Sequence, residues 1–211
     1  KLINDLKYLN RIRSAQILGS YEIQVQKKSI YLKKKYRLKN IINFGSDNGY
    51  HVLGLIGNSY YKKGYCFEIN SLSKKILKKN CKLNKLTNKI NFYNYASFEK
   101  VFSILNNEEL SKSLFIIDIE GDEFKIINEK VIKKIRKSCL IIENHSFAVK
   151  NKKKLNKVFN MLRKKFKFSI IKSEYPEIKN YLNKLKLSQD EIILSIFEDR
   201  KEMNWIVCEP K

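Results

Sequence analysis

The stretch Asn43-Phe44-Gly45-Ser46-Asp47-Asn48-Gly49-Tyr50 follows directly on the apolar pair Ile41-Ile42 and decides how the chain reads. An apolar run of strand length ends there in two glycines four residues apart. Glycine lets a strand turn sharply into a helix while its backbone approaches a ligand closely. About twenty residues further on, a second apolar run ends in Phe67-Glu68. An acidic side chain at that distance, on a neighbouring strand tip, can accept hydrogen bonds from both hydroxyls of a ribose. The glycine turn alone is a weak signal, but the turn and the acid together point to a nucleoside-binding α/β sheet.

The same pattern extends outward from this pair. Apolar runs of strand length occupy residues 41–45, 64–68, 90–95, 114–119, 139–143, 168–172 and 204–208. Between them, residues 71–84, 123–136, 152–165 and 190–198 place leucine, isoleucine and phenylalanine at helical spacing with lysine outward. Such alternation builds a mostly parallel sheet covered by helices on both faces. Upstream, residues 2–18 carry apolar side chains at helical spacing as far as Gly19, and 21–38 are basic and partly helical. The expected division is an N-terminal helical extension over 1–40 and a single α/β domain over 41–211.

The 211 residues include 44 Lys and Arg against 21 Asp and Glu, a formal net charge of +23. Taken alone, that charge suggests an anionic partner such as nucleic acid or a membrane surface. Arginine contributes little of it, through Arg11, Arg13, Arg37, Arg136, Arg163 and Arg200, whereas phosphate recognition favours the planar, bidentate guanidinium. The lysines are spread over every helical segment, so a solvated surface is the better reading and nucleic acid the less favoured partner. No apolar run approaches the roughly 20 residues that cross a bilayer. The first stretch, which does not begin with Met, lacks the continuous apolar core of a signal peptide. Cys66, Cys81, Cys139 and Cys208 lie far apart, three of them inside apolar runs, which fits reduced core thiols and a cytoplasmic setting.

In an open parallel sheet, ligands bind beyond the carboxyl ends of the strands. The cofactor-binding candidates are therefore Asn43, Gly45, Asp47 and Gly49 at the first strand, Glu68 at the second, Ser97 past the third and Asp118 at the fourth. The G-x-x-x-G spacing is not the G-x-G-x-x-G of a dinucleotide site. Asp47 would also repel a pyrophosphate, while suiting the ammonium or sulfonium end of S-adenosylmethionine. The fourth strand ends in Ile117-Asp118-Ile119-Glu120-Gly121-Asp122-Glu123, a concentration of carboxylates that is costly to bury uncompensated. Asp122 and Glu123 can complement the N-terminus of the following helix, which leaves Asp118 and Glu120 for a site. The fifth strand ends in Glu143-Asn144-His145, the adjacent tip if the sheet is ordered 3-2-1-4-5. Asp118, Glu120 and His145 are thus the catalytic candidates, as general base, acceptor contact or metal ligands. No fixed ligand spacing of a metal motif is present, so base or acceptor contact is preferred and no metal is assigned.

Four of these segments resemble the FkbM-like family of class I S-adenosylmethionine-dependent methyltransferases: the Gly45 to Tyr50 turn, Phe67-Glu68, the Ile117 to Glu123 run and Ile142-Glu143-Asn144-His145. Leu18-Gly19-Ser20-Tyr21-Glu22 and the segment from Asp190-Glu191 through Glu198-Asp199-Arg200 to Met203-Asn204-Trp205 share the likeness, which so covers almost the whole chain. The D-x-E-G-x-E pattern from Asp118 to Glu123 is the most specific part. The resemblance implies a Rossmann-like sheet of order 3-2-1-4-5-7-6 with its last strand antiparallel. It also implies S-adenosylmethionine as cofactor and methyl transfer to a hydroxyl of a sugar, glycan or small metabolite. Asn43 stands where many class I enzymes carry an acidic residue that contacts the methionine ammonium, and Asp47 or Asp118 is expected to take that contact over. Tyr21, Tyr50, His51 and residues 175–187 are candidates to line the acceptor pocket. A reading from another class is an RNA-binding or RNA-modifying protein on the same fold, suggested by the net charge. A third is a protein of this fold that binds no cofactor.

Overall fold

The computed structural model describes residues 13–174, 176, 177, 179, 188–196 and 203–211. The expected helix before residue 13, the 175–187 segment and the 198–200 motif fall wholly or largely outside them. The strands are β1 (Asn40–Phe44), β2 (Lys63–Phe67), β3 (Ile90–Tyr93), β4 (Ser113–Ile117), β5 (Cys139–Glu143), β6 (Phe166–Lys172) and β7 (Asn204–Pro210). They form one sheet in the order β3-β2-β1-β4-β5-β7-β6. Strands β1 to β5 pair in parallel, and β7 runs antiparallel to both β5 and β6. This is the expected topology.

Because successive strand residues point to opposite faces, each central strand feeds two cores. Ile42, Phe44, Phe115, Ile117, Leu140 and Ile142 share one cluster. On that side lie α5 (Phe98–Ile104), α6 (Asn107–Ser111), α7 (Glu123–Ile126), α8 (Glu129–Ile135) and α9 (Lys152–Lys165). Ile41, Leu114, Ile116, Cys139 and Ile141 share the other, under α2 (Ile23–Tyr36), α3 (Tyr50–Gly57) and α4 (Ser71–Leu83). The Phe44, Phe67, Phe98 and Phe115 rings pack edge-on or tilted in the first cluster, each a buried side chain that stabilises the fold by about 1.5–3 kcal/mol. A short α1 (Arg13–Leu18) packs against α10 (Gln189–Ile196).

The expected helix over 123–136 is two helices. Ile127 and Asn128 are extended, and the Asn128 side chain accepts a hydrogen bond from Val131 N at 3.0 Å. An asparagine that caps a new helix ends the previous one. Helices α5 and α6 were not anticipated, being short and introduced by Ser97 and Asn106 as caps. Helix α2 is tied to β7 by Glu209, whose carboxylate accepts from Lys28, Lys35 and the Tyr36 hydroxyl. All four cysteines are free and buried, and burial pushes the Cys66, Cys139 and Cys208 thiols up to about 12. Among the described residues, no helix is long and apolar enough to cross a membrane.

Candidate active site

A cleft of about 550 Å³ opens at the carboxyl ends of β1, β2 and β4, lined among others by Gly45, Asp47, Glu68, Tyr95, Asp118 and Glu120. The β1 turn builds its first wall. Gly45 N and Ser46 N both donate to the Phe67 carbonyl, at 3.0 and 3.1 Å, and Asp118 N donates to the Phe44 carbonyl at 2.9 Å. Gly45 has φ +78°, and a Cβ there would lie 1.6 Å from the Asp118 carbonyl oxygen. The glycine is therefore required by the closeness of the β1 and β4 tips, whether or not a ligand also approaches it.

Glu68 is 8% exposed, and backbone N–H groups from two elements hold it. Asp47 N donates to its Oε2 and Asn70 N to its Oε1, each at 2.7 Å. Asn70 in turn caps α4 by accepting from Leu72 N and Ser73 N. Asp47 adopts a left-handed conformation, φ +40°, and its Oδ1 accepts from the Ser73 hydroxyl at 2.8 Å. The carboxylate of Glu68 thus has a fixed place in the cleft. Beside it, Ile69 and Tyr95 are 67% and 70% exposed, an apolar rim suited to the flat faces of a nucleobase.

Three of the expected cofactor residues do not line this cleft. Asn43 is buried on the α2–α4 side of the sheet, its amide donating to the carbonyls of Phe44, Gly45 and Ile116 at 3.3–3.5 Å. Gly49 begins α3 at φ +88°, where a Cβ would meet Leu77 and Leu53. Ser97 caps α5 by accepting from Lys100 N.

Asp118, Glu120 and His145 do come together, on the tips of β4 and β5. His145 Nε2 lies 3.8 Å from Glu120 and 3.6 Å from Glu143, and its Nδ1 lies 3.0 Å from Glu123 Oε1. Asp118, Glu143 and His145 each offer a donor atom within 4.8 Å of the others. Burial pushes the Asp118 carboxyl well above the usual carboxylate range, and the hydrogen-bonded Glu143 carboxyl and the charges of Glu22 and Glu120 push it further.

Two participants were missed from sequence. Glu123, expected only to complement the N-terminus of the following helix, does begin α7, but it is fully buried there, accepting from Ile119 N and Gly121 N and facing His145. Its signal was the final acid of D-x-E-G-x-E. Glu22 is buried with φ +46° and lies 2.6 Å from His51 Nε2. The Tyr21, Tyr50 and His51 rings meet beside it, with centroids 5.2–6.1 Å apart. These three were expected to line the acceptor pocket; they pack on one another and are not among the residues that line the cleft at the β1, β2 and β4 tips.

Strand order, the antiparallel seventh strand and the cleft at the β1, β2 and β4 tips define the fold as the Rossmann-like fold of class I methyltransferases. No family model and no curated protein matches the sequence. Solved structures do match in fold. A putative O-methyltransferase from Klebsiella pneumoniae superposes with TM-score 0.56 at 8% identity, covering 98% of this chain and 94% of its own. The B. subtilis tRNA methyltransferase TrmK gives TM-score 0.56 at 15% identity over 90% of this chain, which spans 66% of TrmK. The Geobacter metallireducens precorrin-6y C5,15-methyltransferase gives 0.53 at 12% identity, covering 89% of this chain and 88% of its own. The likeness is one of fold.

Proposed function

We propose that the chain is an S-adenosylmethionine-dependent methyltransferase of the FkbM-like kind, acting on a hydroxyl of a sugar, glycan or small metabolite. The observation that carries this reading is the Glu68 carboxylate, held by two backbone N–H groups in the same cleft as Asp118 and Glu120. Glu68 would hold the ribose hydroxyls, Ile69 and Tyr95 the adenine, and Asp47 the methionine ammonium, each by matched chemistry. Bound S-adenosylmethionine supplies a methyl group already activated by its positive sulfur. The chain's own part is to orient the acceptor hydroxyl, exclude water and take up the proton as the oxygen–carbon bond forms. Asp118, Glu120 and His145 supply the groups for that proton and for hydrogen bonds to the acceptor. Residues 1–40 we assign to the helical extension and 41–211 to the transferase domain, Tyr21 and Glu22 of the extension facing the acceptor side. The four buried thiols fit a cytoplasmic setting.

The test is calorimetric titration with S-adenosylmethionine and with its demethylated product, followed by labelled methyl transfer to a panel of hydroxyl acceptors. Saturable binding lost in Glu68→Ala is expected. A flat titration of the folded wild-type chain overturns the reading.

A second reading, RNA modification on the same cleft, is favoured by the +23 charge. Affinity for RNA that falls steeply with salt, with no turnover of simple hydroxyl acceptors, would select it.

A further inference from the structure

We propose that Asp118, Glu143 and the Nε2 of His145 form a binding site for one divalent cation of the manganese or magnesium kind, beside the methyl-transfer cleft. Sequence spacing shows no metal motif because the three ligands come from two strand tips. The fold joins them, with a donor atom from each within 4.8 Å of the others. A cation about 2.0–2.6 Å from each oxygen can bridge donors spaced this way. Two carboxylates and one imidazole are ligands for a hard or borderline metal, where a thiolate set would indicate a softer one.

Two further observations point to a ligand. Asp118 Oδ1 is sealed from solvent and has no hydrogen-bond partner, an arrangement that is costly for a polar atom unless something binds it. His145 is also oriented as metal-binding histidines are. Its Nδ1 lies 3.0 Å from the fully buried Glu123 carboxylate, which places the ring proton on Nδ1. Its Nε2 then lies 3.6 Å from Glu143 Oε2 and 3.8 Å from Glu120 Oε2, on the same side as the other two donors. Among the described residues, no lysine or arginine forms an ion pair with Asp118, Glu120 or Glu123.

The proposal deepens the methyl-transfer reading and rests on it for its purpose: a cation here would hold the acceptor oxygen and ease loss of its proton. His145 would then be a ligand, leaving the exposed Glu120 to take up the proton.

Binding is tested on the whole chain without S-adenosylmethionine, by electron paramagnetic resonance titration with Mn²⁺. One saturable site per chain is expected, weakened at least tenfold in Asp118→Asn and in His145→Gln. Nitrogen modulation of the bound Mn²⁺ signal should be present in the wild type and absent in His145→Gln. No saturable site, or a site unchanged in Asp118→Asn of native circular dichroism, overturns the proposal. A parallel titration with S-adenosylmethionine separates the two ideas: Mn²⁺ bound without it fails the cofactor reading alone, and the cofactor bound without Mn²⁺ fails the metal site alone.

Discussion

His145 Nδ1 lies 3.0 Å from Oε1 of Glu123, and that oxygen also accepts hydrogen bonds from Ile119 N and Gly121 N. One buried carboxylate thereby sets the path of the loop after β4 and the orientation of the imidazole at the tip of β5. The loop needs such a tether, because Glu120 sits at φ +56° and Gly121 at φ +105°. A left-handed non-glycine residue stores about 1–2 kcal/mol of strain, which surrounding contacts must offset.

Removal of that tether should therefore be felt in stability. Glu123→Ala leaves two loop N–H groups without their acceptor and should lower unfolding free energy by roughly 2–4 kcal/mol in urea denaturation. Asp122→Ala, one residue away, removes only an exposed ion pair to Lys125 and should change stability by no more than about 0.5 kcal/mol. Equal effects would show that the loop does not depend on Glu123.

For the cofactor, Glu68→Ala should weaken S-adenosylmethionine binding at least tenfold, consistent with about 1.5–3 kcal/mol for charge-assisted hydrogen bonds. The residue also joins the β1 turn to the cap of α4 through Asp47 N and Asn70 N. Calorimetry on Glu68→Gln, which keeps one acceptor oxygen, should give an intermediate affinity. Unchanged affinity in both variants would place the ribose elsewhere.

Strand tips were legible because the residues that end a buried parallel strand switch abruptly from apolar to acidic or glycine, as at Phe44-Gly45, Phe67-Glu68 and Ile117-Asp118. Helix boundaries were less so, since Asn128 looks in sequence like one more polar residue on a helix and acts as a cap only because Ile127 leaves the helical path. At the site, sequence brought Asp118, Glu120 and His145 together correctly but could not tell an exposed acid from a buried one. Glu120 is 90% exposed at its side chain and Glu123 not at all, although both follow the same strand. That difference comes from the left-handed turn between them, which no residue pattern on its own announces.

Gly45 illustrates how one residue type serves packing as well as ligand approach. Gly45→Ala would drive a Cβ into the Asp118 carbonyl at a positive φ, so the tips of β1 and β4 must separate. The variant should lose stability as well as cofactor affinity, in contrast to a purely ligand-blocking effect. Gly54 is the control: it lies in α3 at an ordinary φ with nothing within 4 Å of a Cβ. Gly54→Ala should be neutral or stabilise by up to about 1 kcal/mol. Thermal melts of the two variants distinguish these outcomes, and a Gly45→Ala protein as stable as the wild type would refute the close contact.

The last prediction concerns acid stability and the Glu209 cluster that joins β7 to α2. Burial alone would raise the Glu209 carboxyl, but hydrogen bonds from Lys28, Lys35 and Tyr36 bring it down from 4.5 to about 2. A carboxyl whose folded value is depressed binds fewer protons folded than unfolded in the interval between the two values. Its contribution to stability is therefore complete above about pH 4.5 and is lost as the pH falls toward about 2. Glu209→Gln removes the charge at every pH. The wild type should exceed Glu209→Gln in urea midpoint at pH 6, and the two midpoints should converge as the pH is lowered from 4.5 to 2. Lys28 is the more enclosed partner, its side chain 19% exposed against 40% for Lys35, so Lys28→Met should reduce the pH 6 midpoint more than Lys35→Met. A gap between wild type and Glu209→Gln that stays constant through this interval would mean that Glu209 acts through packing and hydrogen-bond shape, with its charge contributing nothing.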